Sequence, residues 1–153
     1  MKSVPYAPTV SSLMYTMVAR RPDISHVVGV VSRFMHNPGR SHWNAVKHVF
    51  RYLAGTKDHD ILFGRKSTSG VVGYTDSDFA GCVDSRKSTT KYCFKFGNGA
   101  ISWKSKLQEC TATSTTEAEY VVASDAAKEA LWLGRLAHTF RQVNSDSAPV
   151  VYN

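Results

Sequence analysis

The chain has 153 residues, 42% of them hydrophobic and 20% charged, which is enough to bury a core in one domain or two small ones. Its three cysteines form no Cys-x-x-Cys pair, which argues against a disulfide framework and a zinc ribbon. The first twenty residues mix prolines and hydroxyl side chains with the apolar ones. We therefore expect no signal peptide, no membrane span and an intracellular location.

The net charge of +7 is unevenly distributed along the chain. Residues 40–106 hold twelve lysines and arginines against five acidic residues, whereas residues 107–153 hold three against six. A basic middle beside an acidic end indicates a surface that faces a polyanion next to a carboxylate site. The charge pattern therefore predicts contact with nucleic acid.

Apolar residues at three- and four-residue spacings predict helices in the first third of the chain. The first covers residues 9–19, with Thr9 or Ser11 able to cap it, and the second follows Asp23. The second is rich in β-branched residues, which leaves a strand open. A third helix follows Ser41 after the turn Asn37-Pro38-Gly39 and stops at Gly55.

A connector rich in charged, Ser, Thr and Gly residues separates this helical part from the remainder. We place the boundary within it, which predicts a helical segment over residues 1–65 and a second domain over residues 66–153.

The second domain is predicted to have an α/β fold. Alternating or apolar runs predict strands over Val71–Asp76, Thr89–Phe96 and Ala100–Lys106, with Gly97-Asn98-Gly99 as a hairpin turn. A long helix over Thr115–Arg141 follows, and Val150–Tyr152 begins a buried strand. The first three strands are consecutive and antiparallel, and the helix can return the last strand parallel to the first.

Lysines on the predicted strands form a basic face. In the second strand Lys91 and Lys95 alternate with aromatic residues, and Lys104 lies in the third strand. Protection of a sheet edge and contact with phosphates both explain such a face, and the sequence leaves the two open.

Two acids are candidates for chemistry. Asp76 ends the first strand, and Glu117 or Glu119 lies in the first turns of the long helix. Two positions on a helix are about 200° apart, so the two glutamates cannot share a face. Both complete a capping box, with Ser114 and Thr116 respectively, so spacing leaves the choice open. Grouped carboxylates suit Mg²⁺ or Mn²⁺ and hydrolysis of a phosphodiester, whereas we interpret Asp78 as a turn residue.

Several ordered motifs resemble the Pol polyprotein of copia-type LTR retrotransposons in its RNase H region. They are Gly73-Tyr74-Thr75-Asp76-Ser77-Asp78-Phe79-Ala80-Gly81, Arg86-Lys87-Ser88-Thr89, Ala100-Ile101-Ser102-Trp103-Lys104-Ser105-Lys106 and Ser114-Thr115-Thr116-Glu117-Ala118-Glu119-Tyr120. Upstream motifs, among them Arg21-Pro22-Asp23-Ile24 and Arg51-Tyr52-Leu53-Ala54-Gly55-Thr56, are similar to the end of the reverse transcriptase and its connection segment. The resemblance covers nearly the whole chain.

The resemblance implies an RNase H-like fold that cuts the RNA strand of RNA/DNA hybrids with two divalent metals, Mg²⁺ or Mn²⁺. Asp76 matches the first catalytic and metal-binding acid. The family's helix glutamate is followed by a large apolar residue, which favours Glu119 over Glu117. The implied partners are RNA/DNA hybrid or other nucleic acid and the remainder of the Pol polyprotein.

The sequence departs from the family pattern in its later acids. The pattern places further aspartates after the fourth strand, and the sequence stops at Asn153. Asp125 and Asp146 are poorly placed to substitute. We therefore expect a truncated RNase H-like domain that is weakly active or inactive, so whether the chain is an enzyme stays open. The alternative is a non-catalytic remnant, or a module that binds nucleic acid by charge.

Overall fold

A computed structural model describes residues 4–64, 70–140 and 148–153. The chain divides into two compact units, Met1–Asp60 and Ile61–Asn153. The boundary predicted between residues 65 and 66 lies outside the described residues, and the assignment of the two parts to a connection segment and an RNase H domain stays a prediction. No helix in the described part is long and apolar enough to cross a membrane.

The first unit is helical. Its helices are α1 (Tyr6–Ala19), a short 3-10 helix (Pro22–Ile24), α2 (Ser25–Ser32) and α3 (Arg40–Gly55). Their apolar faces meet in one core formed by Tyr6, Val10, Leu13, Ile24, Val28, Val31, Val46 and Val49. The helical interpretation of the second segment is therefore confirmed over the strand, because tertiary packing overrides its β-branched composition.

The caps predicted for these helices are wrong. α1 begins at Tyr6, and the Thr9 hydroxyl donates back to the carbonyl of Pro5. The Asp23 carboxylate accepts hydrogen bonds from Arg21 and Tyr52. α3 begins one residue before Ser41. The Thr9 hydroxyl and the Asp23 carboxylate therefore have competing partners nearby, which the capping pattern alone does not show.

The second unit combines a four-stranded sheet with one long helix. The strands are β1 (Val72–Asp78), β2 (Thr89–Phe96), β3 (Gly99–Leu107) and β4 (Val150–Tyr152), and α4 spans Thr115–Thr139 between the last two. The sheet order is β3-β2-β1-β4; β1, β2 and β3 are antiparallel neighbours, and β4 is parallel to β1. This confirms the predicted α/β order and crossover and gives an RNase H-like mixed sheet preceded by a small helical segment.

One face of the sheet, here called the covered face, packs against α4. Its core contains Val71, Phe94, Ala126, Ala130 and Leu133. The apolar sides of β1 and β2 meet the alanine-rich stripe of α4, and the small alanine side chains let the helix lie close to the strands.

Lys104 belongs to this covered face, which corrects the predicted basic face. Lys104 pairs with Tyr92 in the ladder and donates to Asp125 of α4 at 2.8 Å. Ser102 likewise donates to Glu129. Polar residues of β3 are therefore turned inward because α4 offers acidic partners. Burial, together with the charges of Glu129 and Asp125, raises the pKa of Tyr92 to about 12.

The opposite face of the sheet is here called the open face, because α4 packs on the other side. Gly73 faces Phe94 on the covered side, so strand alternation puts Tyr74 and Asp76 on the open face. Lys95 lies over the Tyr74 ring at 5.3 Å, and Tyr152 stacks on that ring at 5.7 Å between centroids.

The last strand is exposed, so the prediction of a buried β4 is wrong. Val150, Val151 and Tyr152 keep 47%, 39% and 54% of their surface exposed. β4 pairs with β1 on one side only, and the described residues provide no second strand beside it. An apolar run alone does not distinguish a central strand from an edge strand.

Candidate active site

The end of β1, the start of β2, the end of β3 and the first turns of α4 meet at one end of the sheet. Thr89 pairs with both Asp78 and Leu107 in the ladders. Gln108 donates its backbone N–H to Ser88 and its side-chain amide to the carbonyl of Ala118, at 2.8 and 3.0 Å. This buried glutamine ties the first turns of α4 to the end of the sheet where the predicted acids lie.

Asp76 lies near the end of β1 on the open face. Its ladder partner in β2 is Lys91, whose Nζ donates to Asp76 Oδ2 at 3.0 Å. The Asp76 side chain is 65% exposed and that of Lys91 is 35% exposed. The carboxylate predicted to bind metal is thus accessible and already holds a cation, the lysine ammonium.

Asp78 has a structural contact at the strand's tip. Its Oδ1 accepts the backbone N–H of Thr89 at 2.5 Å. A Cβ at Gly81 would lie 2.5 Å from Asp78 Oδ2, so the chain passes closely over this carboxylate. Asp78 therefore holds the ends of the loop between β1 and β2 together.

Glu117 belongs to the cap of α4. Ser114 is the N-cap residue, and its hydroxyl accepts the N–H of Glu117 at 3.1 Å. Glu117 Oε2 accepts the backbone N–H and the hydroxyl of Thr113 at 2.6 and 2.7 Å. These hydrogen bonds lower the pKa of Glu117, the backbone one contributing most, because they stabilise its charged form.

Glu119 lies on the other side of the helix from Glu117, on the stripe that faces the sheet. It precedes Val122 by three residues and Ala126 by seven, and both are fully buried, so all three share one helix face. Its Oε2 is buried and has no hydrogen-bond partner among the described residues. A buried carboxylate oxygen without a partner is costly for folding, and a bound cation is one arrangement that would satisfy it.

Asp76 lies near the end of β1 on the open face, whereas Glu119 lies on the face of α4 that carries the buried residues Val122 and Ala126. β4 accompanies β1 only as far as Tyr74, so Thr75–Asp78 have no described strand neighbour on that edge. The Thr75 hydroxyl instead contacts Tyr152 and Asn153. Among the described residues this edge of β1 is therefore unpaired beyond Tyr74.

The carboxylate oxygens of Asp76 and Glu119 are of the chemical type that divalent cations prefer as ligands. The fit rests on the orphaned Glu119 oxygen and on the Asp76 carboxylate that already accepts an ammonium, since Mg²⁺ and Mn²⁺ prefer carboxylate oxygens. The described residues nevertheless contain no group of three or more potential ligands close enough to hold a metal. Asp125 is committed to Lys104 at 2.8 Å, and Asp146 lies outside the described residues.

Sequence reasoning missed the partner of Asp76. It assigned Lys91 to edge protection or phosphate contact and did not pair it with the aspartate. The pairing depends on the register between β1 and β2, and the long loop between them does not determine that register from sequence.

Comparisons with known proteins identify relatives over most of the chain. It is 58% identical over 135 residues to the retrovirus-related Pol polyprotein from transposon TNT 1-94 of Nicotiana tabacum, covering 88% of this chain and 10% of that protein. It is 40% identical over 147 residues to the Pol polyprotein from transposon RE2 of Arabidopsis thaliana, covering 96% of this chain and 10% of that protein.

A third relative is similar in length to this chain. Secreted RxLR effector protein 161 of Plasmopara viticola is 48% identical over 133 residues, which cover 87% of this chain and 94% of that protein. No protein-family model matches the chain. No solved structure matches it either.

The strand order and the crossover helix give the chain an RNase H-like α/β fold. The relatives make the assignment more specific: the chain belongs to the family of copia-type retrotransposon Pol polyproteins. It spans about a tenth of the length of the Pol polyproteins that it matches, so its context in those relatives is a much longer polyprotein.

Proposed function

We propose that the chain is a fragment of a copia-type Pol polyprotein whose second unit is an RNase H-type nuclease domain acting on RNA/DNA hybrids inside the cell. The observation that carries this proposal is the difference between the two glutamates of α4. Glu117 is used by the cap, whereas Glu119 has a buried carboxylate oxygen with no described partner. The similarity of the chain to Pol polyproteins over most of its length supports it.

Asp76 and Glu119 are the residues that would hold Mg²⁺ or Mn²⁺. A bound metal of this kind supplies an activated water and stabilises the leaving oxygen of a phosphodiester. The chain's own contribution is to fix Asp76 on a paired strand and Glu119 on a packed helix, because rigid elements position ligands better than loops do.

The isolated chain is a weak nuclease in this proposal. Two carboxylates from one chain provide few of the oxygen ligands that Mg²⁺ or Mn²⁺ requires. The Asp76 carboxylate is also shared with Lys91. A poorly held metal misplaces the reacting groups, and small errors of position reduce rates strongly.

A hybrid-cleavage assay tests the nuclease. The purified chain is incubated with an RNA/DNA hybrid labelled on the RNA strand, in Mg²⁺ and in Mn²⁺, beside the variants Asp76→Asn, Glu119→Gln and Glu117→Gln. We expect slow cleavage that both Asp76→Asn and Glu119→Gln reduce to background, while Glu117→Gln retains it. Cleavage no faster than that of Asp76→Asn would refute the nuclease.

The alternative is a non-catalytic module that binds nucleic acid by charge. It is favoured by the Lys91–Asp76 ion pair, which occupies the acid, and by Lys95 and Tyr74 beside it on the open face. Lysine and an aromatic ring together suit a phosphate backbone and a stacked base.

Salt dependence tests this alternative. Charge-driven binding weakens steeply with salt, and loss of one phosphate-contacting lysine lowers the slope of log K against log salt by about 1. We expect Lys95→Met to lower that slope while Asp76→Asn does not weaken binding. A binding constant that hardly changes between low and high salt would contradict the charge-driven module.

A further inference from the structure

We propose that the Lys91 ammonium competes with a divalent cation for the Asp76 carboxylate and so lowers the affinity of this site for the cation. This inference rests on the proposed function, because it assumes that Asp76 is a metal ligand. It concerns a residue that the motifs of the resemblance do not include.

The pairing of Lys91 with Asp76 is fixed by the backbone. The two residues are directly opposite in the antiparallel β1–β2 ladder, which brings their Cβ atoms to about 5 Å apart on the same face. The ammonium then reaches Asp76 Oδ2 at 3.0 Å. The ladder therefore holds Lys91 within reach of this carboxylate.

The ion pair itself contributes little to folding. The Asp76 side chain is 65% exposed, and exposed lysine–carboxylate pairs add little to stability because water and salt screen them. The two strands are already joined by backbone hydrogen bonds on both sides of this position. Loss of Lys91 should thus alter what binds Asp76 far more than whether the sheet folds.

The Lys91 ammonium weakens the binding of a divalent cation at Asp76 in either of two ways. If Lys91 keeps its hydrogen bond, two positive groups share one carboxylate and repel each other. If Lys91 swings away, its bond to Asp76 is lost. Either way the metal binds more weakly than it would at a free aspartate, and low salt enlarges the effect.

Lys95 provides a matched control on the same strand and the same face. Its ammonium lies over the Tyr74 ring at 5.3 Å rather than against Asp76. Four residues of strand separate Lys91 from Lys95 by roughly 13 Å, so Lys95 repels a cation at Asp76 several-fold more weakly than Lys91 does, because the Coulomb energy falls with distance. Lys95→Met removes the same charge from the open face without releasing the aspartate.

Binding of Mn²⁺ to the full chain tests the proposal without an activity assay. Free Mn²⁺ is followed by its electron paramagnetic resonance signal, with calorimetry as a second readout, for the wild type, Lys91→Met, Lys91→Gln, Lys95→Met and Asp76→Asn. We expect either Lys91 variant to bind Mn²⁺ about three- to tenfold more tightly at low salt, an advantage that shrinks as salt is added. We expect Lys95→Met to change affinity less than about twofold.

The outcomes separate this inference from the proposed function. If Asp76→Asn weakens Mn²⁺ binding but the Lys91 variants bind as the wild type does, or no more tightly than Lys95→Met, Lys91 is not a competitor and the proposed site stands. If no variant binds Mn²⁺ more tightly than Asp76→Asn, Asp76 is not a metal ligand, and both the proposed site and the role of Lys91 are refuted. Thermal unfolding of each variant confirms that the chain is folded.

Discussion

The two faces of the sheet each carry a lysine–aspartate pair, and the pairs differ in what they connect. On the covered face Lys104 joins β3 to Asp125 of α4 at 2.8 Å, with side chains 33% and 35% exposed. On the open face Lys91 joins β2 to Asp76 of β1 at 3.0 Å, and that aspartate is 65% exposed. The first pair links elements that no backbone ladder joins, whereas the second links strands already paired. The Lys104–Asp125 pair therefore stabilises the packing of α4 on the sheet, whereas the Asp76 carboxylate of the other pair stays accessible to a ligand.

The largest expected change in stability comes from removing one aromatic ring from each face of the sheet. Phe94 is fully buried under α4, whereas Tyr74 is 48% exposed on the open face. We expect Phe94→Ala to lower the free energy of unfolding by about 3–5 kcal/mol through the cavity it leaves, and Tyr74→Ala to lower it by about 1 kcal/mol or less. Hydrogen exchange of the β1 and β2 amides measures the stability of this sheet alone. Equal losses would show that the open face is covered in solution.

Removing the lysine of each ion pair should change the free energy of unfolding by a smaller amount, and by a different amount for the two pairs. We expect Lys104→Met to lower the free energy of unfolding by about 1 kcal/mol, because it leaves Asp125 half-buried without its cation. Lys91→Met should change it by clearly less. A double-mutant cycle between Lys104 and Asp125, set beside one between Lys91 and Asp76, measures the two coupling energies. A stronger coupling on the open face would overturn the distinction.

The elements could be predicted from sequence because their signals are local. The bounds of β2 follow from alternation and from Gly97 and Asn98, whose φ angles of 58° and 68° form the hairpin turn. α4 follows from its length and its buried stripe. The face of Lys104 could not be predicted, because its polarity pointed outward while Asp125, twenty-one residues later, turns it inward. Residue type alone does not reveal a distant partner.

Only part of the candidate site could be predicted, because some of its contacts depend on residues that are distant in sequence. Asp76 follows from the strand and the motif, but its lysine partner depends on strand register. Glu117 and Glu119 satisfy the same capping rule, so local sequence cannot separate them. Side-chain contacts do: Thr113 binds Glu117, whereas Glu119 shares the buried face of Val122. The preference of the family motif for Glu119 agrees with that geometry and stays a prediction until activity is measured.

The smallest expected effect lies within α4. There the exposed Glu117 belongs to the helix cap, whereas Glu119 lies on the side of the helix that faces the sheet. The folded-state pKa of Glu117 is lowered by its hydrogen bonds to Thr113. A lowered carboxyl pKa adds stability above the unfolded-state pKa of about 4.3, and that stability is lost as the pH falls through the folded-state pKa. We therefore expect Glu117→Gln to destabilise the helix at pH 7 and the difference from wild type to shrink below about pH 4.

Glu119→Gln should behave in the opposite way. The buried Glu119 Oε2 has no described partner. A neutral amide costs less to bury without a partner than a carboxylate does, so the substitution should leave stability at pH 7 unchanged or raised. Urea unfolding of both variants at pH 7 and at low pH, followed by circular dichroism, measures the contrast. If Glu119→Gln proved the more destabilising variant at pH 7, Glu119 would be a structural residue with a partner in solution. Its spare oxygen would then no longer support a metal site at the end of β1.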